Sequence, residues 1–119
     1  MKQLEIDNWY KCKIDKKVYK QLTKRSDYQG LKHVFTWLFF LLLSGYVACI
    51  SWGTWWAVPA FLIYGNIFMA CNPVWHECGH RTAFKTRWLN ELFYHVGSFM
   101  YNFEPIRWRW SHFHHHSYT

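Results

Sequence analysis

No lysine, arginine, aspartate or glutamate occurs between Val34 and Trp75, a run of 42 residues in a chain of 119. As one continuous helix this run would be about 63 Å long, at about 1.5 Å per residue. One crossing of a lipid hydrocarbon core takes about 20 residues. The uncharged run therefore predicts two transmembrane helices, at residues 34–52 and 57–75, joined by a turn around Gly53.

Tryptophan is concentrated at the two ends of these predicted helices. Trp52, Trp55 and Trp56 lie at the turn, and Trp37 and Trp75 lie near the opposite membrane face. This distribution is typical of the aromatic belts at membrane interfaces. The alternative is a buried hairpin in the core of a soluble protein. The rest of the chain is too short to cover so much apolar surface, which favours the membrane interpretation.

The sequence also lacks the cysteine spacing of a disulfide framework. Cys12, Cys49, Cys71 and Cys78 fall in apolar segments or in segments expected to face a reducing cytoplasm, so free thiols are predicted. The first 30 residues contain no apolar core, so we expect no secretory signal peptide. The first transmembrane helix would then itself direct the chain to the membrane.

Acidic residues are half as numerous as basic ones, seven against 14. Nine Lys and Arg lie in residues 1–33, and five more lie in residues 81–109. Basic segments flanking membrane helices stay on the cytoplasmic side. We therefore expect an integral, multi-pass membrane protein with a cytosolic basic segment (1–33), two transmembrane helices (34–75) and a cytosolic histidine-rich region (76–119). This charge pattern predicts no nucleic-acid partner.

Three further helices are predicted outside the uncharged run. Asp15 could cap a short cationic helix that lies on anionic headgroups, or that forms part of a solvated charged tail. Residues 88–103 repeat apolar side chains at helical spacing but are short for a crossing, which indicates an interfacial or re-entrant amphipathic helix ended by Pro105. A last helix begins at Arg107. Pro73 should bend or restart the second transmembrane helix.

Histidines form two clusters, each just beyond an apolar segment. His76 and His80 are four residues apart, so they lie on one helix face. His112, His115 and His116 have i, i+3 and i+4 spacing, again on one face. Neutral imidazole is a common ligand of iron, copper and zinc. The five side chains predict a transition-metal site at a membrane surface, in an all-α membrane protein whose cytosolic helices carry the histidines.

Two other functions fit the first cluster. Residues 76–80, HECGH, satisfy the H-E-x-x-H pattern of zinc proteases, with Glu77 as the general base. Such a protease needs a third protein ligand and an open coordination position. A non-catalytic protein that binds or passes metal ions is the second possibility. Cys78 is a soft ligand but points to another helix face than His76, and His114 points away from the face of the second cluster.

The two clusters with their flanks resemble the first and second histidine boxes of membrane fatty acid desaturases and related membrane hydroxylases. The similarity is carried by residues 76–80 followed by 81–86, RTAFKT, and by residues 108–112, WRWSH, leading into His115 and His116. Residues 25–27, RSD, are also similar to the entry segment of bacterial-type members. The resemblance extends over essentially the whole chain.

The resemblance implies a helical membrane protein with a cytosolic cap and two irons held by three histidine boxes. It implies O2, an electron donor such as ferredoxin or cytochrome b5, and a membrane lipid or acyl-thioester substrate whose unactivated C–H bond is attacked. His76, His80, His112, His115 and His116 would be iron ligands, with no separate catalytic side chain and with Glu77 beside the metal. Hydroxylation of a lipid or carotenoid-type substrate is the alternative reaction.

The sequence departs from this family at one point. Members continue with two further crossings and a third H-x-x-H-H box, whereas this sequence stops at Thr119, after the second box. The resemblance therefore predicts the N-terminal part of such an enzyme, which holds five of the roughly eight or nine expected ligands. We expect that these residues alone do not assemble a stable diiron centre.

Overall fold

The computed structural model describes residues 13–118, and Cys12 and Thr119 lie outside them. Within that part of the chain every regular element is an α-helix, which confirms the predicted fold class. In chain order the six helices are α1 (Lys16–Leu22), α2 (Asp27–Ile50), α3 (Ala57–Met69), α4 (Cys71–Gly79), α5 (Arg87–Tyr101) and α6 (Pro105–Tyr118). Asp15 caps α1 as predicted, because its carboxylate accepts the backbone N–H groups of Lys17 and Val18.

Two stretches are long and apolar enough to cross a membrane, Asp27–Ile50 and Ala57–Gly79. Only 11% of the most apolar part of each stretch is buried within the protein. The exposed apolar side chains of both stretches therefore need another apolar medium. Helix α2 begins at Asp27, seven residues before Val34, where the first crossing was predicted to start. The Ser26 hydroxyl accepts the N–H of Gln29 and starts the helix within polar sequence, where hydropathy gives no boundary.

The two spanning segments form a hairpin. The indole N–H of Trp37 on α2 donates to the carbonyl of Ile67 on α3 at 2.8 Å. Gly45 lets α3 approach closely, since a Cβ there would lie 3.1 Å from the Tyr64 ring. The second segment is interrupted at Ala70, where α3 ends and α4 restarts with Pro73 in its first turn. Proline is tolerated there because first-turn N–H groups have no partner within the helix.

The loop at residues 80–86 joins α4 to α5 and is docked against the start of α2. Phe84 is fully buried and lies over Gly30, where a Cβ would meet its ring at 2.6 Å. The Asp27 carboxylate accepts both the N–H and the hydroxyl of Thr86, at 2.8 and 2.7 Å. The buried Asn90 side chain satisfies the N–H and carbonyl of Phe84. These contacts fix α5 relative to α2.

Helix α5 ends two residues earlier than predicted. Asn102 adopts a left-handed conformation, φ 55°, and the chain leaves the helix there rather than at Pro105. Asparagine is one of the few residues that end helices in this way. Pro105 instead begins α6, and the carboxylate of Glu104 accepts the N–H groups of Ile106 and Arg107. The predicted roles of Pro105 and Arg107 were therefore wrong by a few residues.

Helix α5 has apolar side chains on both its packed and its outward face. The packed face combines them with small and polar side chains. Its buried residues are Leu89, Asn90, Tyr94, Gly97 and Ser98. Its exposed apolar residues are Trp88, Leu92, Val96 and Phe99. An apolar outward face is what an interfacial helix presents to lipid.

Replacing Gly97 with alanine should destabilise the contact between α4 and α5. An added Cβ would lie 2.7 Å from the Cβ of Trp75, so the helices must separate. Overpacking of this kind costs about 1–3 kcal/mol. We expect a lower unfolding midpoint in detergent for Gly97→Ala. The matched control is Gly65→Ala on α3, where nothing lies within 4 Å of the added atom and no loss is expected. Equal midpoints for the two variants would contradict the close approach.

Candidate metal centre

Two helices bring four histidines together. Helix α4 contributes His76, and the residue that caps its end is His80. Helix α6 contributes His112 and His116. One nitrogen from each of these rings lies within 4.8 Å of all the others. The two i, i+4 pairs predicted from the sequence thus face each other.

The closest nitrogens are spaced as ligands of one metal would be. The Nε2 atom of His112 lies 2.9 Å from Nε2 of His80 and 3.0 Å from Nε2 of His116. With metal–nitrogen bonds of about 2.1 Å, two nitrogens are about 3.0 Å apart at a right angle and about 3.4 Å apart at a tetrahedral angle. The observed spacing is closer to the right angle. Four imidazole nitrogens gathered within 4.8 Å of one another can hold a transition metal.

Aromatic packing holds the two histidine helices together. Trp75, next to His76, is buried against Trp108 of α6, with ring centroids 4.1 Å apart. Trp108 in turn stacks on the His112 ring at 4.4 Å with an interplanar angle of 13°. Gly79 leaves room for this contact, since a Cβ there would lie 3.3 Å from Trp108. The orientation of His112 is therefore set by a tryptophan pair that joins α4 to α6.

The environment lowers the pKa of two of the histidines. Burial lowers the pKa of His80, the adjacent imidazoles of His76 and His116 lower it further, and Glu77 acts in the opposite direction. Burial also lowers the pKa of His112, together with the imidazoles around it. A lowered pKa favours the unprotonated ring, which is the form that binds metal.

The other predicted residues lie around this cluster. His115 is not one of the four, and its ring centroid is 6.4 Å from that of His112. At about 100° per residue, His115 and His116 diverge by roughly 100° around α6. The ring of His114 packs against the ring of Tyr118, away from the cluster, with ring centroids 4.4 Å apart. The Glu77 carboxylate accepts a hydrogen bond from the Thr82 hydroxyl and lies 3.9 Å from Nδ1 of His76. Cys78 is fully buried.

A charged network beside the cluster was not recognised in the sequence. Both oxygens of Glu91 on α5 bind arginine: Oε1 accepts from Nε of Arg81 at 2.8 Å, and Oε2 accepts from Nη1 of Arg109 at 2.9 Å. Glu91 is the single acidic residue between Arg81 and Phe103. The available signal was its position as the one acidic residue in a helix rich in apolar side chains.

Alanine at any one of the four clustered histidines should weaken metal binding. Co²⁺ added to the detergent-solubilised chain reports binding through its visible absorption. Even an outer hydrogen-bonding partner of a ligand contributes about 10- to 100-fold in affinity, so loss of a ligand should cost at least about ten-fold. His114→Ala on the same helix is the control, and its affinity should match that of the unaltered chain. A four-histidine site would be excluded if the variants and this control bound Co²⁺ equally.

Metal binding should also depend on pH. Protons compete with the metal for the imidazole nitrogens. Since the pKa values of His80 and His112 are lowered, these two rings stay available through the ordinary histidine range near about 6.5. Co²⁺ affinity should therefore be lost as the pH falls below that range and regained as it rises. Binding that strengthens on acidification would contradict ligation by imidazole.

The chain is similar to curated lipid desaturases. The sequence profile of the family described as fatty acid desaturase matches residues 52–119. The chain is 33% identical over 88 residues to an sn-1 oleoyl-lipid 12-desaturase of Synechocystis sp., which covers 70% of this chain and 25% of that protein. It is 37% identical over 67 residues to an sn-1 acyl-lipid omega-3 desaturase (ferredoxin) of Nostoc sp., covering 56% of this chain and 19% of the relative. No solved structure matches the chain.

The match covers more than half of this chain but only part of each relative. The chain spans about a fifth to a quarter of the length of the curated relatives. The profile covers more than half of the chain and includes all four clustered histidines. The chain belongs to the fatty acid desaturase family.

Proposed function

We propose that this chain forms part of an O2-dependent oxidoreductase that introduces double bonds into lipid acyl chains through a histidine-bound iron centre. The observation that carries the proposal is the convergence of His76, His80, His112 and His116 in the segment matched by the family. Membership of the family supports an iron site and a lipid substrate.

The proposed iron ligands are His76, His80, His112, His115 and His116, and the intact centre would hold two irons. Iron supplies the redox chemistry that activates O2. The side chains of this chain hold and orient the metal. The aromatic rings of Trp75 and Trp108 close one side of the histidine cluster.

Desaturation needs an external reductant. Removal of one hydrogen atom from each of two adjacent carbons supplies two electrons and two protons. Reduction of O2 to two waters takes four electrons and four protons. The remaining two electrons must come from a carrier. The Nostoc relative is named as a ferredoxin enzyme, which supports ferredoxin as the donor, with cytochrome b5 as the other candidate.

The proposed topology follows from the position of the site at the end of a membrane segment. His76 and His80 lie at the end of the Ala57–Gly79 span, next to the polar loop at residues 80–86. We infer that the chain's N-terminus and both histidine pairs face the cytoplasm, where soluble electron carriers are found. Basic segments on both sides of the apolar hairpin support this orientation.

A zinc protease is a weaker explanation of the same residues. Its catalytic site needs three protein ligands, a free position for water and an available general base. Here four imidazoles surround the candidate site, and the Glu77 carboxylate is engaged by Thr82. The matched relatives are named as desaturases, which also favours desaturation over hydroxylation.

The test is to express the complete reading frame that encodes these residues, together with ferredoxin and its reductase, in a bacterium that makes no polyunsaturated lipid. Gas chromatography with mass spectrometry of the lipid acyl chains should show a new double bond that depends on O2 and iron. His112→Ala should reduce the product to background, because a ligand is lost.

The control is Arg107→Gln, an exposed residue on the same helix, which should leave the product level unchanged. A hydroxylated product would assign the other reaction of the family. Zinc-dependent proteolysis that is lost in Glu77→Gln, without any change in lipids, would overturn the proposal.

A further inference from the structure

We propose that Glu91 is a positioning residue that holds the two histidine helices in register, so that their imidazoles face one metal. This inference rests on the proposed metal function. The Glu91 carboxylate binds two arginines, Arg81 and Arg109. Each arginine lies close in sequence to a different histidine pair. Glu91 itself does not touch the histidine cluster, so it would act through Arg81 and Arg109.

The first arm of the bridge fixes the residue that follows His80. Arg81 has a left-handed backbone, φ 60°, which is unfavourable for a residue with a side chain. Its N–H donates to the carbonyl of Cys78 at 3.0 Å, and its Nε donates to Glu91. The ion pair therefore holds a strained turn that ends α4 and determines where the His80 ring points.

The second arm fixes α6 three residues before His112, on an adjacent part of the same helix face. The Arg109 guanidinium lies 4.0 Å over the ring of Tyr94, and its side chain is 19% exposed. The hydroxyl of Tyr94 donates to the carbonyl of Pro105, the first residue of α6. Arg109 and Tyr94 together attach the start of α6 to α5.

Arg109 depends on Glu91 for its charge compensation. In the part of the chain that the structure describes, the buried Nε and Nη2 atoms of Arg109 have no hydrogen-bond partner. Glu91 is its one ion-pair partner among the described residues. Removing the carboxylate that pairs with a largely buried cation is unfavourable, so loss of Glu91 would push Arg109, and α6 with it, toward solvent.

The variant Glu91→Gln keeps the shape of the side chain and removes its charge. In a Co²⁺ titration of the detergent-solubilised chain, we expect affinity to fall by about 10- to 100-fold, as for partners that orient metal-binding histidines. The visible spectrum of the remaining complex should also change, since ligand geometry changes. Arg107→Gln is the matched control and should leave both unaltered. Unchanged affinity and spectrum in Glu91→Gln would overturn the proposal.

If Glu91→Gln does not fold, Arg81→Gln decides the question. The Arg81 side chain is 43% exposed, and its removal leaves the Glu91–Arg109 pair intact. We expect this variant to fold and to bind Co²⁺ more weakly than the Arg107→Gln control, because His80 loses its support. Equal affinity would overturn the proposal. Glu91→Asp keeps the charge on a shorter side chain. It should therefore recover part of the Co²⁺ affinity that Glu91→Gln loses.

A second readout separates this inference from the metal function. Trp75 and Trp108 lie close enough for exciton coupling between their indoles, which circular dichroism detects and which Trp108→Phe should remove. If the unaltered chain binds no Co²⁺, a four-histidine site in these residues alone is excluded, and the proposed function rests on the lipid product of the complete reading frame. The couplet then still tests the bridge: a weaker couplet in Glu91→Gln supports it, and an unchanged couplet overturns it.

Discussion

The arrangement of helices α4, α5 and α6 depends on the ring of Trp75. This side chain, 3% exposed, stacks against Tyr94 of α5 and contacts Trp108 of α6. Its indole N–H is satisfied by the Ser98 hydroxyl at 2.8 Å, so its burial leaves no unpaired donor. Because His76 follows it directly, the direction of the first histidine is set by a neighbour that is itself fixed on three helices.

Local sequence pattern predicted the histidine pairs but could not show that they meet. The i, i+4 spacing of His76 and His80 places them on one face of any helix. Their approach to His112 depends instead on the small residues Gly79 and Gly97, which let Trp108 and Trp75 pack closely. Such contacts join residues far apart in the chain, and periodicity carries no information about them.

The start of the second crossing at residue 57 was predicted correctly, whereas the helix boundaries that capping decides were missed. The start of α2 at Asp27 and the end of α5 at Asn102 are set by a hydroxyl cap and a left-handed residue, within sequence that hydropathy treats as continuous or as polar loop. The Glu91 network was overlooked for a related reason. A single acidic residue in a helix rich in apolar side chains does not reveal in the sequence that two arginines bind it. The predicted ligand role of His115 stays a prediction.

The cap that Asp27 places on Thr86 joins residues 59 positions apart. While the chain is being synthesised, Asp27 therefore emerges long before its partner exists. Until then its carboxylate must be solvated by water, which keeps the end of the first helix from sliding into the lipid. Only after the hairpin has been completed can the loop at residues 80–86 reach this carboxylate. The bond between Asp27 and Thr86, and with it the docking of the loop before α5, can therefore form only late in the folding of this chain.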